Sequence, residues 1–186
     1  MKITNPNVTL ADEARSGMQE DVRSGFLDWL FQFSVTGDDG ELYSIGGSIL
    51  SLALEKLDVV SFNCARGTGH VEQLPGSIYK VTRFPGMLFE RLLRKPRGAL
   101  DIQRESDRVI VTCSGEYRAE CYADHTWHLV IDSLDGRYKA DLYHRPHGYP
   151  LWYGREKPSC LTQHSVTYGY NWAGDVEGAI WLDGRR

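Results

Sequence analysis

Residues 117–132 read YRAECYADHTWHLVID. The odd positions, Tyr117, Ala119, Cys121, Ala123, His125, Trp127, Leu129 and Ile131, are small, apolar or aromatic apart from the histidine. The even positions, Arg118, Glu120, Tyr122, Asp124, Thr126, His128, Val130 and Asp132, are mostly polar. A period of two is the signature of a strand with one buried face, and it puts His125 on that face. Residues 137–145 repeat the pattern, with Tyr138, Ala140, Leu142 and His144 on one side and Arg137, Lys139, Asp141, Tyr143 and Arg145 on the other. A third run groups His164, Val166, Tyr168, Tyr170 and Trp172. Such a face is either an ordinary core or the wall of a cavity that holds an apolar molecule and orients it by a few polar contacts.

The same alternation extends toward the N-terminus. Leu27, Trp29, Phe31, Phe33 and Val35 alternate with Asp28, Leu30, Gln32 and Ser34. Gly37-Asp38-Asp39-Gly40 has tight-turn composition and predicts a hairpin into residues 41–54. Gly46-Gly47 inside that second strand predicts a bulge or sharp bend. Further strands are expected near 59–65, 77–84, 99–105, 108–114 and 175–182, with a hairpin turn at Asp135-Gly136. Eight to ten strands joined by short turns, with little helix, define an all-β antiparallel sandwich or barrel. Residues 85–98, PGMLFERLLRKPRG, break the rhythm. Leu88, Leu92 and Leu93 fit one helical turn, with Arg91, Arg94, Lys95 and Arg97 outside as a local basic cluster, which as solvated surface needs no partner.

The first segment is different. Thr9 is a helix N-cap, and Asp12 and Glu13 fall in the first turn, where negative charge suits the helix dipole. Leu10, Ala14, Met18 and Val22 then recur as one narrow apolar stripe. A helix this marginal must dock to be stable. The chain therefore divides into a helical plug or lid over residues 1–25 and a β-barrel domain over 26–186.

Composition narrows the function classes. The chain has 186 residues and a formal net charge of −4, with no basic tail, so nucleic acid is not expected as a partner. No apolar run reaches the length of a membrane span, and the polar start is unlike a secretory signal. Cys64, Cys113, Cys121 and Cys160 have no CxxC spacing, and three fall in strand-like runs. They are expected to be reduced and mostly buried in a cytoplasmic protein. A homodimer is compatible with these features.

Nucleotide, nucleophile-elbow and zinc-protease motifs are absent. His144-Arg-Pro-His147 has a metal-like spacing, but strand geometry points its two histidines to opposite faces and no third ligand follows, so no metal or other cofactor is expected. Cys121 and His125 stand four residues apart, too far along a strand for a direct hydrogen bond. Histidines on apolar faces must find a partner or remain costly. The residues assigned to chemistry are His125, His144, Tyr168 and Tyr170. Trp29, Phe31, Trp127, Tyr138, His164, Trp172 and Met18 are assigned to substrate contact, although aromatics on a buried face are also what a plain core contains.

The C-terminal stretch KPSCLTQHSVTYGYNWAGDVEGAIWLDG, with Val176, Gly178, Ile180, Asp183 and Gly184, resembles the segment that closes the first barrel of the carotenoid-hydratase/AttH group of lipocalin-like proteins. YKADLYHRPHGYPLWYG is similar to that family's strand and loop upstream, and FLDWLFQFSVTGDDGELYSIGGSI to its opening hairpin. Two departures stand out: members commonly carry two barrels, and the doubled tryptophan of the opening strand is reduced to Trp29. The group includes hydratases of isoprenoid double bonds and cyclases that fold a linear polyene for a [4+2] cycloaddition. The resemblance therefore implies a lipocalin-like β-barrel acting without cofactor on an unsaturated, mostly apolar polyene, as a Diels–Alder-type cyclase in polyketide antibiotic biosynthesis. A hydratase or isomerase of a double bond, needing a carboxylic acid inside the cavity, and a non-catalytic carrier are the alternatives.

Overall fold

The computed structural model describes residues 8–14, 26–52, 56–67, 70–73, 80–83, 86–96, 98–153, 159–162, 165–167 and 169–186. Met18, His164, Tyr168 and the expected helix beyond Ala14 lie outside the described residues. The architecture is all-β and antiparallel, with one short helix. A four-stranded sheet runs β1 (Phe26–Thr36), β2 (Leu42–Leu52), β3 (Leu57–Arg66) and β6 (Gly86–Pro96), with the short hairpin β4 (His70–Gln73) and β5 (Lys80–Arg83) between β3 and β6 in the chain. A six-stranded sheet contains β7 (Leu100–Arg104), β8 (Arg108–Cys113), β9 (Tyr117–Tyr122), β10 (Trp127–Asp132), β11 (Tyr138–Pro146) and β16 (Gly174–Leu182). Between β11 and β16 come β12 (Leu151–Tyr153), β13 (Ser159–Thr162), β14 (Ser165–Thr167) and β15 (Gly169–Asn171); β12 pairs with β15 and β13 with β14. Neighbours in each large sheet follow chain order, as in an up-and-down meander. Among the described residues the ladder is interrupted between β6 and β7 and between β16 and β1.

The two sheets bury a common core. Trp29, Ile49, Val60, Phe62 and Phe89 from one meet Val111, Tyr117, Leu129, Tyr138 and Ala140 from the other. Phe62, Phe89 and Tyr138 stack, with centroids 5.0–5.9 Å apart. Cys64, Cys113 and Cys121 are buried and form no disulfide. Burial pushes the Cys64 thiol up to about 11. At the β6–β7 crossover the buried carboxylate of Asp58 accepts from Ser51 Oγ at 2.8 Å, Gly98 N at 2.7 Å and Leu100 N at 3.0 Å. It ties the corner where the chain passes from one sheet to the other.

Three local expectations are corrected. Residues 117–132 are not one strand but a hairpin, with Cys121 opposite Trp127, Ala119 opposite Leu129 and Tyr117 opposite Ile131. Odd residues pair with odd residues, so the buried face survives the reversal, while Ala123 at the turn is exposed. Residues 86–96 form β6 rather than a helical turn; Phe89 is buried and Leu88 and Leu92 are exposed. The strand register runs unbroken through Gly46 and Gly47. Gly47 faces Tyr117 of the opposite sheet, whose ring would lie in ordinary contact, 3.5 Å, with an added Cβ.

Helix α1 (Leu10–Glu13) starts as the sequence predicts. Thr9 N donates to Asp12 Oδ2 at 2.8 Å and Asp12 N donates to Thr9 Oγ1 at 3.3 Å, a reciprocal capping box. Ala14 is fully buried, and Trp29 Nε1 donates to the Glu13 carbonyl at 3.0 Å. These contacts fix the end of α1 against β1.

Candidate functional site

A cavity of about 480 Å³ lies between β1, the β9–β10 turn, the ends of β10 and β11, and residues 170–174. This is a size that takes a small organic molecule. Trp29, Phe31, Trp127, Tyr170, Trp172, His125 and His144 all line it. Seven candidate residues chosen by alternation are thus brought to one place. Tyr138 is not among them: it is fully buried in the Phe62–Phe89 stack, where burial raises its phenol well above the ordinary value. Its assignment to substrate contact is corrected to core packing. A second cavity of about 790 Å³ opens farther along β1 and β16, lined by Val35, Tyr43, Leu88, Leu142 and Ile180 among others, and it contains none of the candidate residues.

The aromatic wall has defined geometry. Phe31 meets Trp127 edge to face at 5.2 Å, Phe33 lies 5.7 Å from the His144 ring, and His125 lies 5.3 Å from the Trp172 ring. Pairs at these separations favour a fixed, rigid surface. His144 enters from the inward row of β11, opposite Trp127. Its Nε2 faces the start of β16, where a Cβ on Gly174 would come within 2.5 Å. Only glycine leaves that space. Burial, chiefly, and then the nearby His147 hold the His144 imidazole below its usual range, while Glu13 and Asp175 oppose the shift. The shift favours the uncharged imidazole, in which one nitrogen is a donor and the other an acceptor.

Glu13 is a residue that sequence reading missed. It is 1 % exposed and lines the cavity from α1, with Oε1 3.7 Å from His125 Nδ1. The Glu13 carboxylate raises the His125 pKa against the opposing effect of burial. The hairpin also overturns the expected separation of Cys121 and His125. The turn folds His125 back, and ligand-type atoms of Glu13, Cys121 and His125 lie within 4.8 Å of one another. The HRPH histidines do part company as expected: His144 is buried and His147 is exposed near Asp175.

Four buried polar atoms on lining residues have no hydrogen-bond partner among the described residues: Glu13 Oε1, His125 Nδ1, His144 Nδ1 and Trp172 Nε1. Buried polar groups are normally satisfied, and unsatisfied ones in folded proteins are few. Four others, on Arg91, Glu116, Tyr117 and Tyr138, lie outside this lining; the four within it give the space what a small-molecule site requires, apolar walls with a few oriented polar groups. Compared with known proteins, the chain matches no protein-family model, no curated protein and no solved structure. Among the described residues, no helix is long and apolar enough to cross a membrane.

Proposed function

We propose that the chain is a lipocalin-like barrel enzyme that binds an unsaturated, mostly apolar small molecule in this cavity and closes a ring by [4+2] cycloaddition. The observation that carries the reading is that Glu13 Oε1, His125 Nδ1, His144 Nδ1 and Trp172 Nε1, without hydrogen-bond partners among the described residues, lie within a wall of Trp, Phe and Tyr side chains. The meander order of the long strands supports the lipocalin-like part, as an up-and-down barrel opened at two seams. Aromatic faces would hold a linear polyene folded, with diene and dienophile adjacent. Such preorganisation removes up to roughly 7–11 kcal/mol of barrier in favourable intramolecular cases. The neutral His144, or the Tyr170 hydroxyl, would donate to a conjugated carbonyl and make the alkene more electrophilic, an interaction strengthened in a dry site.

A second reading, hydration or isomerisation of a double bond, is favoured by one specific observation. It needs a carboxyl group inside the cavity, and Glu13 supplies one. Incubation with a linear polyene carrying a conjugated carbonyl separates the readings by product. Cyclisation leaves the mass unchanged and removes two double bonds. Hydration adds water, and isomerisation only moves a double bond. Stoichiometric binding with no turnover would leave a carrier and overturn both enzymatic readings.

A further inference from the structure

We propose that Glu13, Cys121 and His125 form a binding site for one divalent transition-metal ion of the zinc type. The site goes beyond the reaction proposed above and is read out without any substrate. Each residue offers one ligand-type atom, and the three atoms lie within 4.8 Å of one another. They come from three structural origins: the end of α1, the end of β9, and the turn into β10. The turn is closed by His125 N donating to Tyr122 O at 2.8 Å and Tyr122 N donating to Thr126 O at 3.0 Å. It holds His125 at φ +64°, in the left-handed region that side-chain-bearing residues rarely occupy. That unusual backbone is what returns the imidazole to Cys121.

The surroundings suit an ion. Glu13 is 1 % exposed and Cys121 0 % exposed, while the His125 side chain is 19 % exposed. A buried carboxylate is costly unless it is paired and hydrogen-bonded. Glu13 Oε1 and His125 Nδ1 stand 3.7 Å apart, within ion-pair range but beyond hydrogen-bond length, and neither has a hydrogen-bond partner among the described residues. A cation between them, with the Cys121 thiolate as third ligand, satisfies both atoms. Tetrahedral zinc with bonds of 2.0–2.3 Å sets its ligands roughly 3.3–3.8 Å apart. Binding would therefore draw the three groups together by up to about 1.5 Å, within the reach of side-chain torsions. Three protein ligands leave a fourth position open, and Glu13 and His125 both line the cavity from which it would be filled. A thiolate with an imidazole selects zinc, cobalt or copper over magnesium or calcium. Binding displaces the thiol proton to solvent.

The test is a Co²⁺ titration of the full chain after stripping with a chelator. One equivalent should bind, with a thiolate-to-cobalt charge-transfer band in the near ultraviolet, and Zn²⁺ should displace it. Cys121→Ser should remove that band although Cys64, Cys113 and Cys160 remain. Glu13→Gln and His125→Ala should each weaken binding at least tenfold and keep the proposal testable if the serine variant does not fold. No stoichiometric uptake by the wild-type chain, or an undiminished charge-transfer band in Cys121→Ser, overturns the site. Polyene binding is measured separately, so failure of either leaves the other standing.

Discussion

Replacing Trp29 by Phe tests how Glu13 is delivered to the cavity. Trp29 is 2 % exposed, and its Nε1 is the donor to the Glu13 carbonyl at 3.0 Å. Phenylalanine keeps most of the packing and removes that donor. The carbonyl is then left buried without this partner, at a cost of about 1–3 kcal/mol. By RT ln K this is roughly a 5- to 150-fold rise in the population with α1 detached. The helix is only residues 10–13, so it has little stability of its own, and the cost falls on local opening rather than on the sheets. Hydrogen exchange reads this directly. Protection of the Glu13 and Ala14 amides, which donate to Thr9 and Leu10 carbonyls, should fall by that factor, while β9 and β10 amides keep theirs. Ligand affinity should drop with it. Equal loss of protection across α1 and the sheets, or none at α1, would refute the idea that this hydrogen bond holds the helix to β1.

Other perturbations have defined outcomes. Gly174→Ala places a Cβ 2.2 Å from the Arg145 carbonyl oxygen and 2.5 Å from His144 Nε2; overpacking should cost about 1–3 kcal/mol in urea unfolding and displace His144. Asp58→Ala leaves the Gly98 and Leu100 N–H groups without their acceptor, and should cost about 2–4 kcal/mol by the same assay, without changing the cavity. For His144, facing His147, Glu13 and Asp175, the folded pKa is below the ordinary 6.5, so the unfolded chain takes up the proton first. Its contribution to stability is complete above pH 6.5 and is lost as pH falls toward the lower folded value. The difference between wild type and His144→Gln in denaturant titrations from neutral to acid pH should show that loss, and a flat difference would contradict it.

The fold was legible wherever one strand face is apolar. The inward rows of β1 and β11 follow the alternation directly, and the Asp135-Gly136 turn has Gly136 at φ +69°. The β9–β10 reversal was hidden because its pairing preserves parity, so the alternation passes through the turn without a fault. The available signal was Asp124, whose Oδ1 accepts from Thr126 N at 2.9 Å in a local turn, with no glycine to advertise it. Strand β6 escaped for another reason: its half-buried row carries Arg91, which reaches the buried Glu116 at 2.8 Å, so the row does not read as apolar. Histidines and aromatics on apolar faces led to most of the cavity. Glu13 did not, because its burial comes from docking of α1, and a glutamate in the first turn of a polar helix carries no mark of that in the sequence.

The central claim is that the space bounded by Trp29, Phe31, Trp127 and His144 is a ligand site rather than unfilled core. The most direct measurement is a titration with parinaric acid, a linear conjugated tetraene, followed by its own fluorescence and by backbone amide shifts. One molecule should bind per chain, with shifts centred on 125–127, 144 and 170–174, and Phe31→Trp should weaken binding by filling the cavity. Binding that leaves those amides unmoved, or that Phe31→Trp does not weaken, would contradict the account.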